Sequence, residues 1–187
     1  MWGPSAGADG PLCAVGLAET GKPVPVALRA DVARRLALYS YRGVAVLAPR
    51  GWACEGRNGS GGTALLVSPG GGVGVEAYLH SGGASGRMAI AEIVARVFPA
   101  HRKLVRDVEA LFPELTKRWA RRPYPADRLT YLSDRALRYR TPGHAEGLGT
   151  QGSLGKGTGD VDGYVALRLP EAMRSLVGPI LDDAARR

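Results

Sequence analysis

Residues 141–163, TPGHAEGLGTQGSLGKGTGDVDG, interrupt every periodic pattern in the chain. The segment holds seven glycines between Gly143 and Gly159, and it has neither the apolar spacing of a helix nor the alternation of a strand. Connections longer than about 12–15 residues without secondary structure are uncommon in a compact domain unless they serve a site or are disordered. The sequence therefore predicts a long glycine-rich loop at 142–162, and any site is expected there first.

The elements on either side set the fold class. Residues 1–22, rich in glycine and proline, read as a flexible lead-in, and 23–187 as one domain. Pro23–Leu28 alternates weakly, as a short strand does. Asp31–Tyr39 reads as a helix with Val32, Leu36 and Tyr39 on one face. Gly43–Leu47 is a β-branched strand ended by Pro49. Arg50–Gly62 reads as a turn-rich connection containing the Asn58-Gly59 pair. Thr63–Val67 and Val73–Leu79 form a hairpin around Ser68–Gly72. Two helices follow: Ile90, Ile93, Val94 and Val97 mark the first stripe, and Leu104, Val105, Val108, Leu111 and Phe112 the second. Leu129–Leu132 and Ala136–Tyr139 read as paired strands around Ser133-Asp134. Tyr164–Leu169 is a strand, and Pro170 opens a last helix with Met173, Leu176, Val177, Ile180 and Leu181 on its stripe. Strands and helices do not alternate regularly, so the expected class is α+β, with a mostly antiparallel sheet packed by about four helices.

Charge narrows the kind of partner. The net charge of +8 lies mostly in residues 101–140, where 11 Lys/Arg face 5 Asp/Glu. Such a segment attracts anions, although a solvated arginine face looks the same in sequence. Arg102, Lys103 and Arg106 share one helix face, with Arg118, Arg121, Arg122, Trp119 and Tyr124 beyond it. That interleaving makes nucleic-acid binding a third and weaker reading. No run reaches the roughly 18 apolar residues of a membrane span. The start, MWGPSAGADGP, has neither the basic nor the apolar region of a signal peptide and reads as the cut end of a processed protein. Cys13 and Cys54 have no metal-binding spacing. They are either two separate thiols or one disulfide.

The catalytic and cofactor motifs fail on context. Gly147–Gly152 matches G-x-G-x-x-G, but proline and glycine precede it and no helix pattern follows. Gly155-Lys156 lacks the hydroxyl of a phosphate-binding loop. Ser153 and Lys156 match S-x-x-K without a helix to hold them on one face. Asp160 and Asp162 lack the rest of a calcium loop. No cofactor or metal is expected. What remains is His144 and Glu146, two residues apart at the loop entrance and able to share a proton, with Arg138 and Arg140 just before them to hold an anion. A loop carbonyl and an arginine partner would equally satisfy that pair. His80 and His101 stand singly near element ends.

Three segments carry a resemblance: GVAVLAPRGWACEGRNGSGGTALLVSP from Gly43, SGRMAIAEIVARVFPAH from Ser85, and YPADRLTYLSDRALRYRTPGHAEGLGT from Tyr124. Together they resemble a group of uncharacterised exported bacterial proteins. The resemblance implies a periplasmic or secreted location, and with it a Cys13–Cys54 disulfide. It implies no reaction or ligand. The leading expectation is an exported domain that binds an anionic ligand or an envelope protein. The alternative is a small hydrolase with His144 and Glu146 at its centre.

Overall fold

The structure, a computed structural model, describes residues 14–15, 28–98, 103–117, 128–134, 136–141, 150–155 and 163–186. It is an α+β fold in which every strand pair among these residues is antiparallel. A three-stranded sheet runs β1–β2–β3, with β1 at Ala14–Val15, β2 at Leu36–Tyr41 and β3 at Val44–Pro49. A seven-stranded sheet has the order β4–β5–β6–β10–β9–β8–β7. Its strands are β4 Ala53–Gly59, β5 Gly62–Gly70, β6 Val73–His80, β7 Arg128–Tyr131, β8 Ala136–Thr141, β9 Thr150–Gly155 and β10 Gly163–Arg168. The helices are α1 Ala30–Ala33, α2 Ala84–Val97, α3 Lys103–Leu111, α4 Pro113–Thr116 and α5 Val177–Arg186, the last preceded by a 3-10 turn at Glu171–Leu176.

Two cores lie on opposite faces of the larger sheet. Leu65, Val67, Val75, Ala77 and Leu167 pack with Leu36, Leu38, Val46, Leu47, Ile180 and Leu181, so one face is closed by the small sheet and α5. Alternate residues point the other way. There Leu137, Leu129, Tyr139 and Tyr164 meet Ile90, Ala91, Leu104, Val105 and Val108 of α2 and α3. The helices cover the β7–β10 side of that face. Toward β4 it stays open, and Leu66 is 39% exposed there.

Several elements depart from the sequence expectation. The helix expected over Asp31–Tyr39 is one short turn, and Leu36–Tyr41 is strand β2. All six residues of β2 are buried, so the alternation that marks a half-buried strand is absent and Leu36 and Tyr39 mimic a helical stripe. Tyr39 donates its hydroxyl hydrogen bond to the Pro49 carbonyl at 3.0 Å, tying β2 to the end of β3. The lead-in contributes β1, which pairs Ala14 with Ser40 and Val15 with Tyr39. Arg50–Gly62 is not a connection. It holds β4, an edge strand whose glycine and charges hide its strand character, and the turn falls at Ser60-Gly61 instead of Asn58-Gly59.

The largest correction is inside the glycine-rich stretch. Thr150–Gly155 is β9, laddered to β8 on one side and β10 on the other. It needs no apolar pattern of its own, because two flanking strands satisfy its backbone. Gly152 shows why glycine is required. A Cβ there would lie 2.4 Å from the Tyr139 ring and 2.4 Å from the Val165 carbonyl oxygen.

Candidate anion-binding site

The β7–β8 hairpin is held by its helix-facing residues. Leu137 is 1% exposed in the second core, with Leu129 and Tyr139 packed around it. Tyr131 donates its hydroxyl to the Val97 carbonyl at 2.6 Å, fastening the edge strand to the end of α2. Alternation then sends Arg128, Thr130, Arg138 and Arg140 to the opposite side, the side of α5. The register places Arg128 directly opposite Arg140, and Thr130 opposite Arg138.

The three arginines are not equivalent. Arg138 is half-buried and its Nη2 hydrogen-bonds and ion-pairs with Asp182 of α5. Arg128 and Arg140 are exposed, and neither has an ion pair among the described residues. Like charges directly opposite across an antiparallel pair are unfavourable. Two guanidiniums side by side, without an acidic partner among the described residues, present the planar forks of donors that suit an anion. Charge on an edge strand also discourages strand addition, which is what such an arginine does in the absence of a ligand.

Of the predicted binding residues, Arg138 and Arg140 thus share a face, but Arg138 is already neutralised. Sequence reasoning missed Arg128, the residue that faces Arg140. Pairing the strands about a two-residue Ser133-Asp134 turn would set 128 against 139; the observed register, with one more residue in the turn, sets it against 140. Lys103 and Arg106 are exposed on α3, which packs on the other face of the sheet, so the fold does not join them to the hairpin arginines. That helix also balances its own charge. Lys103 Nζ binds Asp107 at 2.8 Å and Arg87 approaches it at 3.8 Å. The hydrogen bond from Lys103, helped by the cations around it, holds the Asp107 carboxyl below the usual range. His144, Glu146, Arg102 and Cys13 lie outside the described residues, as do His101, Trp119 and Tyr124. Cys54 is half-buried on β4 against the first core.

The S-x-x-K serine, Ser153, stands on strand β9, so no helical turn presents it to a lysine. Likewise, Thr150–Gly152 opens a strand where the dinucleotide fingerprint requires a helix. Among the described residues no group of three or more His, Cys, Asp or Glu side chains is placed to hold a metal ion.

His80 occupies a closed aromatic cluster at the end of β6. Its ring lies 4.7 Å from Tyr78, nearly edge-on, and Tyr78 stacks on Tyr164 at 5.5 Å. Both His80 nitrogens are buried without a hydrogen-bond partner among the described residues, and burial lowers its pKa. Tyr164 donates to Glu76 at 2.9 Å. Burial, then the Glu76 charge, pushes the Tyr164 phenol far up. The rings of His80, Tyr78 and Tyr164 thus pack on one another, with Tyr164 held by the Glu76 carboxylate. Beside Glu76, a shallow groove of about 350 Å³ runs along the open half of the sheet between Leu66, Ser68, Gly74, Ala166 and Arg168.

Comparison with family models, with curated proteins and with solved structures finds no match. No helix among the described residues is long and apolar enough to cross a membrane.

Proposed function

We propose that this chain is an exported binding module that engages an anionic partner at the end of its β7–β8 hairpin. One observation carries the reading: Arg128 and Arg140 face each other across the strands with no acidic partner among the described residues. The overall charge of +8 favours the same encounter at long range. Heparin serves as the probe. Retention should fall with rising salt, and Arg140→Glu should elute markedly earlier than Arg106→Glu, which changes net charge equally but on α3. Equal retention of the two variants would leave only a diffuse charge effect and would refute the site.

The hydrolase reading uses the same arginines as a substrate clamp, since β8 ends at Thr141, three residues before His144. It assigns proton transfer to His144 and Glu146. Hydrolysis of an anionic ester that disappears in His144→Ala, with heparin retention unchanged, would establish it over simple binding.

Export supports a Cys13–Cys54 disulfide. Ala14, next to Cys13, is paired to Ser40 of β2. The neighbouring Tyr41 ring lies over Gly56, where a Cβ would come within 2.3 Å of it. Gly56 and Cys54 share a face of β4. Alkylation without reductant should leave the mass unshifted; two added alkyl groups would exclude the bond.

A further inference from the structure

Among the described residues, Asp182 is the one carboxylate paired with the hairpin arginines, and that pair is incomplete. Arg138 gives a single nitrogen, Nη2, to a single oxygen, Oδ1. Its Nε is buried without a hydrogen-bond partner among the described residues. A guanidinium carries five donors in a planar fork and binds most strongly when two of them meet one acid group. The Asp182 side chain is 51% exposed, so water screens the pair and little free energy holds it. Asp182 also has a second cation within reach. Arg186 lies one turn further along α5 on the same helix face.

Strand register brings Arg138 into range of the other two arginines. The Leu132 amide donates to the Ala136 carbonyl at 2.9 Å, so 132 and 136 are a hydrogen-bonded pair, and 128 and 140 are one as well. The α-carbons of Arg128 and Arg140 then lie about 5.5 Å apart. Arg138 follows Arg140 on the same face of β8 at about 7 Å, two residues of rise. Long arginine side chains span such separations, so the three guanidiniums can converge on one group. Three guanidiniums and the Asp182 carboxylate carry a net charge of +2, which one doubly charged oxyanion balances.

We infer that Asp182 is a built-in competitor at this site, and that a phosphate group, free or as a monoester, displaces it from Arg138. The inference rests on the anion-binding reading above and adds to it the ligand class and a third guanidinium. In the structure Asp182 holds Arg138 aside. A phosphate offers at least three acceptor oxygens and takes donors from Arg128, Arg138 and Arg140 together. Asp182 then turns to Arg186. A single carboxylate carries no more charge than Asp182 itself, so the exchange favours the dianion over a carboxylate.

Titration calorimetry with inorganic phosphate, phenyl phosphate and acetate tests the inference, at about pH 8, above the second phosphate pKa of about 6. Wild type should bind a phosphate more tightly than acetate; inorganic phosphate alone identifies a free anion, phenyl phosphate an ester. Asp182→Asn should bind it about fivefold more tightly, the worth of a surface ion pair removed from competition. Glu114→Gln, which makes the same charge change and breaks the Lys117 pair on α4, should bind as wild type. Asp182→Glu keeps the competing charge and should do likewise. In an Arg138→Gln chain, Asp182→Asn should bring no gain. Asp182→Asn binding no tighter than Glu114→Gln, acetate binding as well as phosphate, or no phosphate binding by either chain would overturn the inference. The anion site itself would still stand if Arg140→Glu weakened heparin retention more than Arg106→Glu. Equal retention of those two variants would remove both.

Discussion

Arg140→Glu should make the protein more stable and a weaker binder at once. In the native structure Arg140 lies opposite Arg128 with both side chains in water. A cross-strand like-charge pair costs about 0.2–1 kcal/mol and an opposite-charge pair returns a similar amount. Reversing one charge removes the first and adds the second, for a gain of about 1 kcal/mol after allowance for solvent screening. With an unfolding entropy of about 2.1 cal/mol/K per residue over 187 residues, that gain raises Tm by about 2–3 °C. Calorimetry in low salt measures the shift. In 1 M NaCl, where the screening length is about 3 Å, most of it should vanish. Loss of stability in low salt, or a gain that survives high salt, would show that the two guanidiniums do not repel each other. The basis for an anion site would then be gone. A residue held at a cost to the fold is the signature expected of a binding group.

Leu137→Ala should cost about 2–5 kcal/mol in denaturant unfolding, because Leu137 is 1% exposed beneath α2 and α3. A loss under 1 kcal/mol would mean the helices do not rest on this strand. Gly152→Ala should fail to fold or lose several kcal/mol, since the new Cβ meets both the Tyr139 ring and a backbone oxygen. Wild-type stability there would contradict the placement of β9. His80 should make the protein acid-sensitive. Its pKa is lowered by burial, so the unfolded chain takes up a proton at about the ordinary value of 6.5 that the folded chain refuses. Stability is full above that pH and declines as pH falls through it. His80→Phe, which keeps a ring against Tyr78, should flatten the stability profile between pH 7 and 5; an unchanged slope would acquit His80.

Where apolar residues repeat on one face, sequence and structure agree. The stripe of Leu104, Val105 and Val108 becomes the buried face of α3, and the strands at Thr63–Val67, Val73–Leu79 and Ala136–Tyr139 lie where alternation puts them. Local pattern suffices there because each element meets the core on one side and water on the other. It fails for β2, buried on both faces, for the charged edge strand β4, and for β9, whose glycines carry no side-chain pattern. Those strands are held by backbone pairing to the strands next to them in the chain, and backbone pairing leaves little trace in side-chain spacing.

The site divides in the same way. The basic surplus and the candidacy of Arg138 and Arg140 belong to the sequence alone. Only the fold decides that Arg138 is taken by Asp182, that Arg128 stands against Arg140, and that Lys103 and Arg106 lie across the sheet from both. Charge is a property of residues, whereas neutralisation and repulsion depend on distance, and strand register sets the distances here.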